Sequence, residues 1–218
     1  MNSQLSYILF SLSLTLEYQK LEIMSQINAE IAKLQESIQQ NQSKIKELRL
    51  QLPQEEIQNY KFTDLNGNET SLLDLFGDST ELLLVHNMGK ECRYCTMWAD
   101  GFRGLSEIIS DRMPWVLTSP NDHETLRNFS NSRGWNFNVV SYAGSSFALD
   151  LGFASIKDEN TSYEPGVSAL IRKDDKIFRV AQDSFGPGDL YNPAWHFFDL
   201  FPEGVNGWYP KYDYKTGE

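Results

Sequence analysis

Cysteine is scarce in this sequence, with two thiols in 218 residues. That excludes a secreted scaffold held by several disulfides. Basic charge is also short: 19 Lys and Arg stand against 30 Asp and Glu, a formal net charge of −11 at pH 7. A chain of that sign repels phosphate backbones and anionic surfaces, so neither nucleic acid nor a membrane is expected as a partner. Long apolar runs are missing. The best candidate, Leu5 to Leu16, is about twelve residues long, too short to span a bilayer. It has the length of a signal-peptide core, yet no Lys or Arg precedes Lys20 and no small-residue cleavage site follows. Residues 1–23 are therefore expected to be a disordered or non-native extension, with Met24 as the real start and the protein cytoplasmic.

The remaining composition is that of a globular chain, 40% hydrophobic and 13% aromatic, long enough for one core-forming domain and an appendage. The first 52 residues hold five basic and five acidic side chains, so the acidic excess lies wholly in residues 53–218.

Both cysteines fall in one stretch. Leu82 to Val85 is a continuous apolar run that suits a strand buried on both faces. Met88, Gly89 and Lys90 turn the chain, and Cys92 to Trp98 can be helical. The Cys92-x-x-Cys95 pair thus sits where a strand hands over to a helix N-terminus. Unpaired N–H groups and the helix dipole favour an anion there, and the thiolate is the reactive form of cysteine. Arg93 and Lys90 add positive charge, and Glu91 opposes them. Two other readings stand beside redox use: a pair of ordinary buried cysteines, and a zinc site. Zinc normally takes four ligands, and His86, His123 and His196 lack ligand spacing to the pair.

From Ile27 the apolar residues recur at alternating three and four spacing. Ile31, Ile38, Ile45 and Leu52 take one seam position; Ile27, Leu34, Asn41 and Leu48 take the other. The pattern predicts an amphipathic or coiled-coil helix over 24–53, ended by Pro53 and either pairing two chains through residues 27–52 or lying on its own domain. A hairpin turns at Asn66-Gly67, and a short helical turn runs from Ser71 to Phe76. The cysteine helix is expected to reach about Ser110, bent near Asp100-Gly101. A strand at 114–118, a helix at 122–133 capped by Asn121 and stopped by Gly134, and a strand at 137–141 follow. After a short helix or turn at 145–152, a hairpin comes at 167–181 around Asp174-Asp175, then a closing helix at 192–200. Strands alternating with helices and ending in a hairpin give an α/β fold around a mixed sheet, with residues 54–218 as its domain. The tail from Asp183 holds ten of the 28 aromatics and is expected to cover the sheet, with a substrate surface as the other reading.

The chain resembles the thioredoxin superfamily, and within it the branch described as predicted dithiol-disulfide oxidoreductases. The resemblance rests on His86-Asn-Met-Gly, Cys92-x-x-Cys95-Thr-x-Trp98-Ala-Asp100-Gly101-Phe102, Arg133-Gly134-Trp135, Pro165-Gly166-Val167-Ser168, Phe185-Gly-Pro187-Gly188-Asp189 and Trp195-His196-x-Phe-Asp199-Leu. It implies a thioredoxin-like fold in which Cys92 attacks and Cys95 resolves, supported by Lys90, Arg93, Trp98, Asp100 and Ser168. Three departures stand out. Arg93-Tyr94 replaces the usual Gly-Pro between the cysteines. Val167-Ser168 occupies the slot of the usual cis-proline. His86 replaces the acid common six residues before the first cysteine, and is expected either to act as a base toward Cys95 with a pKa nearer neutrality or to be a strand-end histidine bonded to a backbone carbonyl. The Pro-x-x-x-Thr-x-x-Cys of peroxiredoxins is absent.

The function expected is thiol-disulfide exchange with a protein or small-molecule disulfide or thiol, recycled by an external reductant and needing no cofactor. The rivals are an atypical thiol peroxidase and a coiled-coil interaction module carrying a redox-sensing dithiol.

Overall fold

The computed structural model describes residues 2–215 and divides the chain into two units, 1–52 and 53–218. The first is one helix, α1 (Asn2–Arg49), of 48 residues. It runs unbroken through Met24, so the boundary expected there falls inside continuous helix. Exposed pairs such as Lys44 Nζ–Glu47 Oε2 at 3.0 Å add only a few tenths of a kcal/mol each. The helix ends at Arg49, earlier than expected, and Leu52 lies in the turn before Pro53, because the residue ahead of a proline is pushed out of helical geometry. A lone helix has nothing within its own unit to cover the Ile/Leu seam.

The second unit is built on an eight-stranded mixed sheet. Its strands are β1 (Glu55–Ile57), β2 (Lys61–Asp64), β3 (Glu69–Ser71), β4 (Glu81–His86), β5 (Trp115–Ser119), β6 (Val139–Ser141), β9 (Gly166–Lys173) and β10 (Lys176–Ser184), in the order β1-β10-β9-β4-β5-β6-β2-β3. A separate hairpin holds β7 (Ala154–Lys157) and β8 (Asn160–Tyr163). The central β4 runs parallel to β5 and antiparallel to β9. Side chains alternate along β4, which sorts the core into two layers. Leu82 and Leu84 pack with Phe147, Leu151 and Phe153 on one face. Val85 packs with Trp98, Ala99 and Phe102 on the other. Full burial of a leucine such as Leu84 is worth about 2 kcal/mol.

The helices are α2 (Arg93–Phe102), α3 (Ser106–Arg112), α4 (His123–Arg133), α5 (Phe147–Asp150) and α6 (Ala194–Phe198). The helix expected to run to Ser110 is two helices. Gly101 and Gly104 weaken the stretch between them, and Leu105 N–H closes a tight turn onto the Phe102 carbonyl at 3.0 Å. Strands β1, β7 and β8 were not expected; each is three or four residues long, too short for periodicity to register. The cap of α4 is Asp122, whose carboxylate accepts from Thr125 N–H at 2.9 Å, rather than Asn121. Gly134 ends α4 in the left-handed conformation at φ 63°, as expected. No helix of the described residues is long and apolar enough to cross a membrane.

Candidate active site

The parallel strands β4 and β5 end side by side, and the loops that follow them are tied together. Asn121, after β5, accepts the Lys90 N–H at 2.8 Å, while Asn87 accepts the Gly89 N–H at 2.7 Å. These two bonds shape the turn that delivers Cys92 to the N-cap of α2. There its sulfur accepts the backbone N–H of Cys95 at 3.1 Å. Both thiols are free; Cys92 is half-buried and Cys95 is buried.

This arrangement splits the two acidities. The Cys95 thiol hydrogen-bonds to the Cys92 sulfur, and together with backbone N–H groups it outweighs burial and lowers the Cys92 pKa from 9.0 to about 7. The same bond holds the Cys95 proton in place, and burial adds to it, so the Cys95 pKa is pushed far above the ordinary thiol range.

His86 ends β4 on the face opposite α2, in line with Leu82 and Leu84. Its ring stacks on Phe153 with centroids 3.7 Å apart, and Nε2 pairs with the Ser168 hydroxyl at 2.9 Å. Nδ1 has no hydrogen-bond partner among the described residues. Burial, with a smaller contribution from the Arg179 charge, lowers its pKa to about 3. The expected pKa near neutrality is thus corrected: a fully enclosed aromatic slot does not admit the charged ring. Gly166, opposite His86 across the β4–β9 ladder, makes room for this stack. A Cβ there would lie 2.5 Å from the Phe153 ring and 2.4 Å from the Asp183 carbonyl. His86 and Cys95 line a common cavity of about 10 Å³, roughly the space of one water.

The supporting residues sort into two groups. Trp98 is buried against Phe185, and Ser168 is bonded to His86. Asp100 does not reach the cysteines. It forms an ion pair with Arg133 and accepts the Trp135 indole N–H at 2.9 Å, which explains the Arg133-Gly134-Trp135 motif. Lys90 pairs with its neighbour Glu91. Arg93 extends over the rings of Tyr209 and Tyr212, 5.9 and 5.4 Å from their centroids. The Tyr212 hydroxyl donates to the Lys90 carbonyl at 2.9 Å, and its own carbonyl accepts from Arg133 at 2.5 Å. Part of the aromatic tail therefore lies beside the cysteine turn, a placement that contacts spanning 79 and 122 residues leave without a local signal. Among the described residues no group of three or more His, Cys, Asp or Glu side chains is placed to hold a metal ion.

Residues 23–215 match the family described as "Bacterial protein of unknown function (DUF899)". The chain belongs to that family. No curated protein matches this DUF899 sequence. Among solved structures it is similar to peroxidoxin BcpB from Mycobacterium tuberculosis, with 17% identity, a TM-score of 0.51, and 60% of this chain and 84% of that chain covered. It is also similar to Prx3 from Vibrio vulnificus, solved reduced and in complex with H2O2, with 14% identity, a TM-score of 0.51, and 64% and 91% covered. These likenesses concern the fold alone, which is thioredoxin-like in this DUF899 protein.

Proposed function

We propose that this protein is a cytoplasmic thiol-disulfide oxidoreductase of the dithiol type. The observation that carries the reading is the joint hold on the Cys92 sulfur, by the Cys95 N–H at 3.1 Å and by the Cys95 thiol. A thiol with a pKa of about 7 is substantially ionised near neutral pH yet remains a good nucleophile. The Cys92 thiolate attacks one sulfur of a substrate disulfide, whose S–S bond breaks and releases one thiolate. Cys95 then loses its proton and attacks the Cys92 sulfur of the mixed disulfide. The second substrate thiol leaves, and Cys92–Cys95 is the oxidised product. An external thiol reductant returns two electrons to the pair.

Within this proposal His86 serves the second step. Its neutral ring, bonded to Ser168, lines the same small cavity as Cys95, where one water can carry away the proton that Cys95 sheds. The Ile/Leu seam of α1 is assigned to pairing two chains through residues 27–52.

A thiol peroxidase is the second reading, favoured by the peroxiredoxin-like fold. In that case Cys92 attacks a peroxide oxygen, the O–O bond breaks, water or an alcohol leaves, and Cys95 displaces water from the resulting sulfenic acid. With the motif ending at Cys92, Val85 and Gly89 stand where peroxiredoxins carry the proline and the threonine.

The deciding test is a single turnover of the reduced protein with a small disulfide and, separately, with hydrogen peroxide. Oxidation by the disulfide well above the rate of a free thiol supports the first reading. Rapid oxidation by peroxide alone replaces it with the second.

A further inference from the structure

Resting on the reading of Cys92 as the attacking thiol, we infer that its mouth selects small disulfides that carry a carboxylate, with Arg93 as the specificity-determining residue. Arg93 is the first residue of α2, directly after the nucleophile. It is exposed and, among the described residues, forms no ion pair. It is nevertheless positioned, since its guanidinium sits over two tyrosine rings at 5.4 and 5.9 Å. Among the described residues its N–H groups are held by no ion pair, and their fork matches the two oxygens of a carboxylate.

The perch itself is fixed. Tyr212 is bonded to the Lys90 carbonyl through its hydroxyl and to Arg133 through its carbonyl, and Phe129 meets its ring edge-on at 6.4 Å. Pro210, between the two tyrosines, is buried. The other cation of the turn, Lys90, is already paired with Glu91. Among the described residues Arg93 is thus a positive charge next to Cys92 that forms no ion pair, on a protein whose formal net charge is −11. The general field repels anions, so attraction of an anionic substrate has to be local, and this is where it is built. The strap that holds Arg93 also occupies one side of the mouth, which suits a small molecule better than a disulfide flanked by folded chain.

The test uses three disulfides of matched shape and different charge: 3,3′-dithiodipropionate, 2-hydroxyethyl disulfide and cystamine. For the full-length protein the specificity constants should fall in that order. Arg93→Gln should lower the ratio of the first to the second by roughly tenfold, as for loss of one hydrogen-bonded charge. Tyr212→Ala, which removes the perch but keeps the charge, should lower it in the same direction by less. No preference in the wild type, or an unchanged ratio in Arg93→Gln, overturns the inference. A second readout does not depend on turnover: the rate of alkylation of Cys92 by iodoacetate relative to iodoacetamide, which should fall in Arg93→Gln. If no disulfide is reduced but this alkylation ratio falls, the oxidoreductase reading fails and the anion-selecting mouth stands. If disulfides are reduced but neither ratio changes, Arg93 has no part in selection.

Discussion

The backbone N–H of Cys95 points at the sulfur of Cys92 from 3.1 Å, so the residue that would resolve a mixed disulfide also stabilises the thiolate that starts it. One helical turn thereby gives two cysteines opposite acidities.

Alkylation at limiting reagent should modify Cys92 well before Cys95, with a rate that rises through a midpoint near pH 7. Cys95→Ala removes the largest cause of the lowered pKa, the Cys95 thiol, while keeping the backbone N–H. The midpoint should then move up toward that of an ordinary thiol. Peptide mapping with iodoacetamide across pH 5–10 checks both statements. Equal labelling of the two cysteines would contradict them.

His86 should make the fold sensitive to acid. The native ring stays neutral down to about pH 3, while the unfolded chain takes up the proton near 6.5. Below 6.5 the unfolded state binds more protons, so stability is full above that pH and is lost as pH falls toward 3, by up to about 1.4 kcal/mol per unit. Urea unfolding at pH 7 and pH 5 should show a smaller loss in His86→Gln than in the wild type. The role proposed for the ring, lining the water site beside Cys95 without itself taking the proton, predicts that His86→Ala slows resolution, with attack by Cys92 changing less.

Asp100→Ala should cost about 2 kcal/mol, because it strands the Trp135 indole and the Arg133 guanidinium in a partly buried site. It should also loosen Tyr212, which Arg133 holds by its carbonyl. Urea midpoints measure the first effect, and proteolytic susceptibility of residues 208–215 the second. A change below about 0.5 kcal/mol, the range of an ordinary surface substitution, would mean that the cluster is not a structural clamp.

Deleting residues 1–52 removes one of the two units and none of the sheet's strands. The remaining chain should fold, run as a monomer and keep a reactive Cys92, whereas the full chain should scatter light as a dimer. A full chain that is monomeric at tens of micromolar would remove the pairing assigned to α1.

Much of this site was legible because its geometry is local. Val85, His86 and Cys92 occupy a strand, a strand end and a helix cap, which apolar runs, a glycine turn and a C-x-x-C spacing announce directly. The mixed sheet and the Gly134 stop could be read for the same reason. The neutral state of His86 could not, because it depends on Phe153 and Gly166, more than 60 residues away in sequence. Asp100 is expected from the resemblance to support the cysteines, yet its partners come from the end of α4. The perch under Arg93 comes from the far end of the chain, and no periodicity links Tyr212 to Lys90.

The most direct measurement is the trapping of the first intermediate. Reduced Cys95→Ser protein, mixed with a small disulfide at neutral pH and analysed by mass after proteolysis, should carry a stable mixed disulfide on Cys92. The wild type under the same conditions should pass to a Cys92–Cys95 disulfide and release both substrate thiols. A Cys95→Ser protein that forms no adduct on Cys92, or a wild type that stops at the mixed disulfide, would contradict the roles given to the two cysteines.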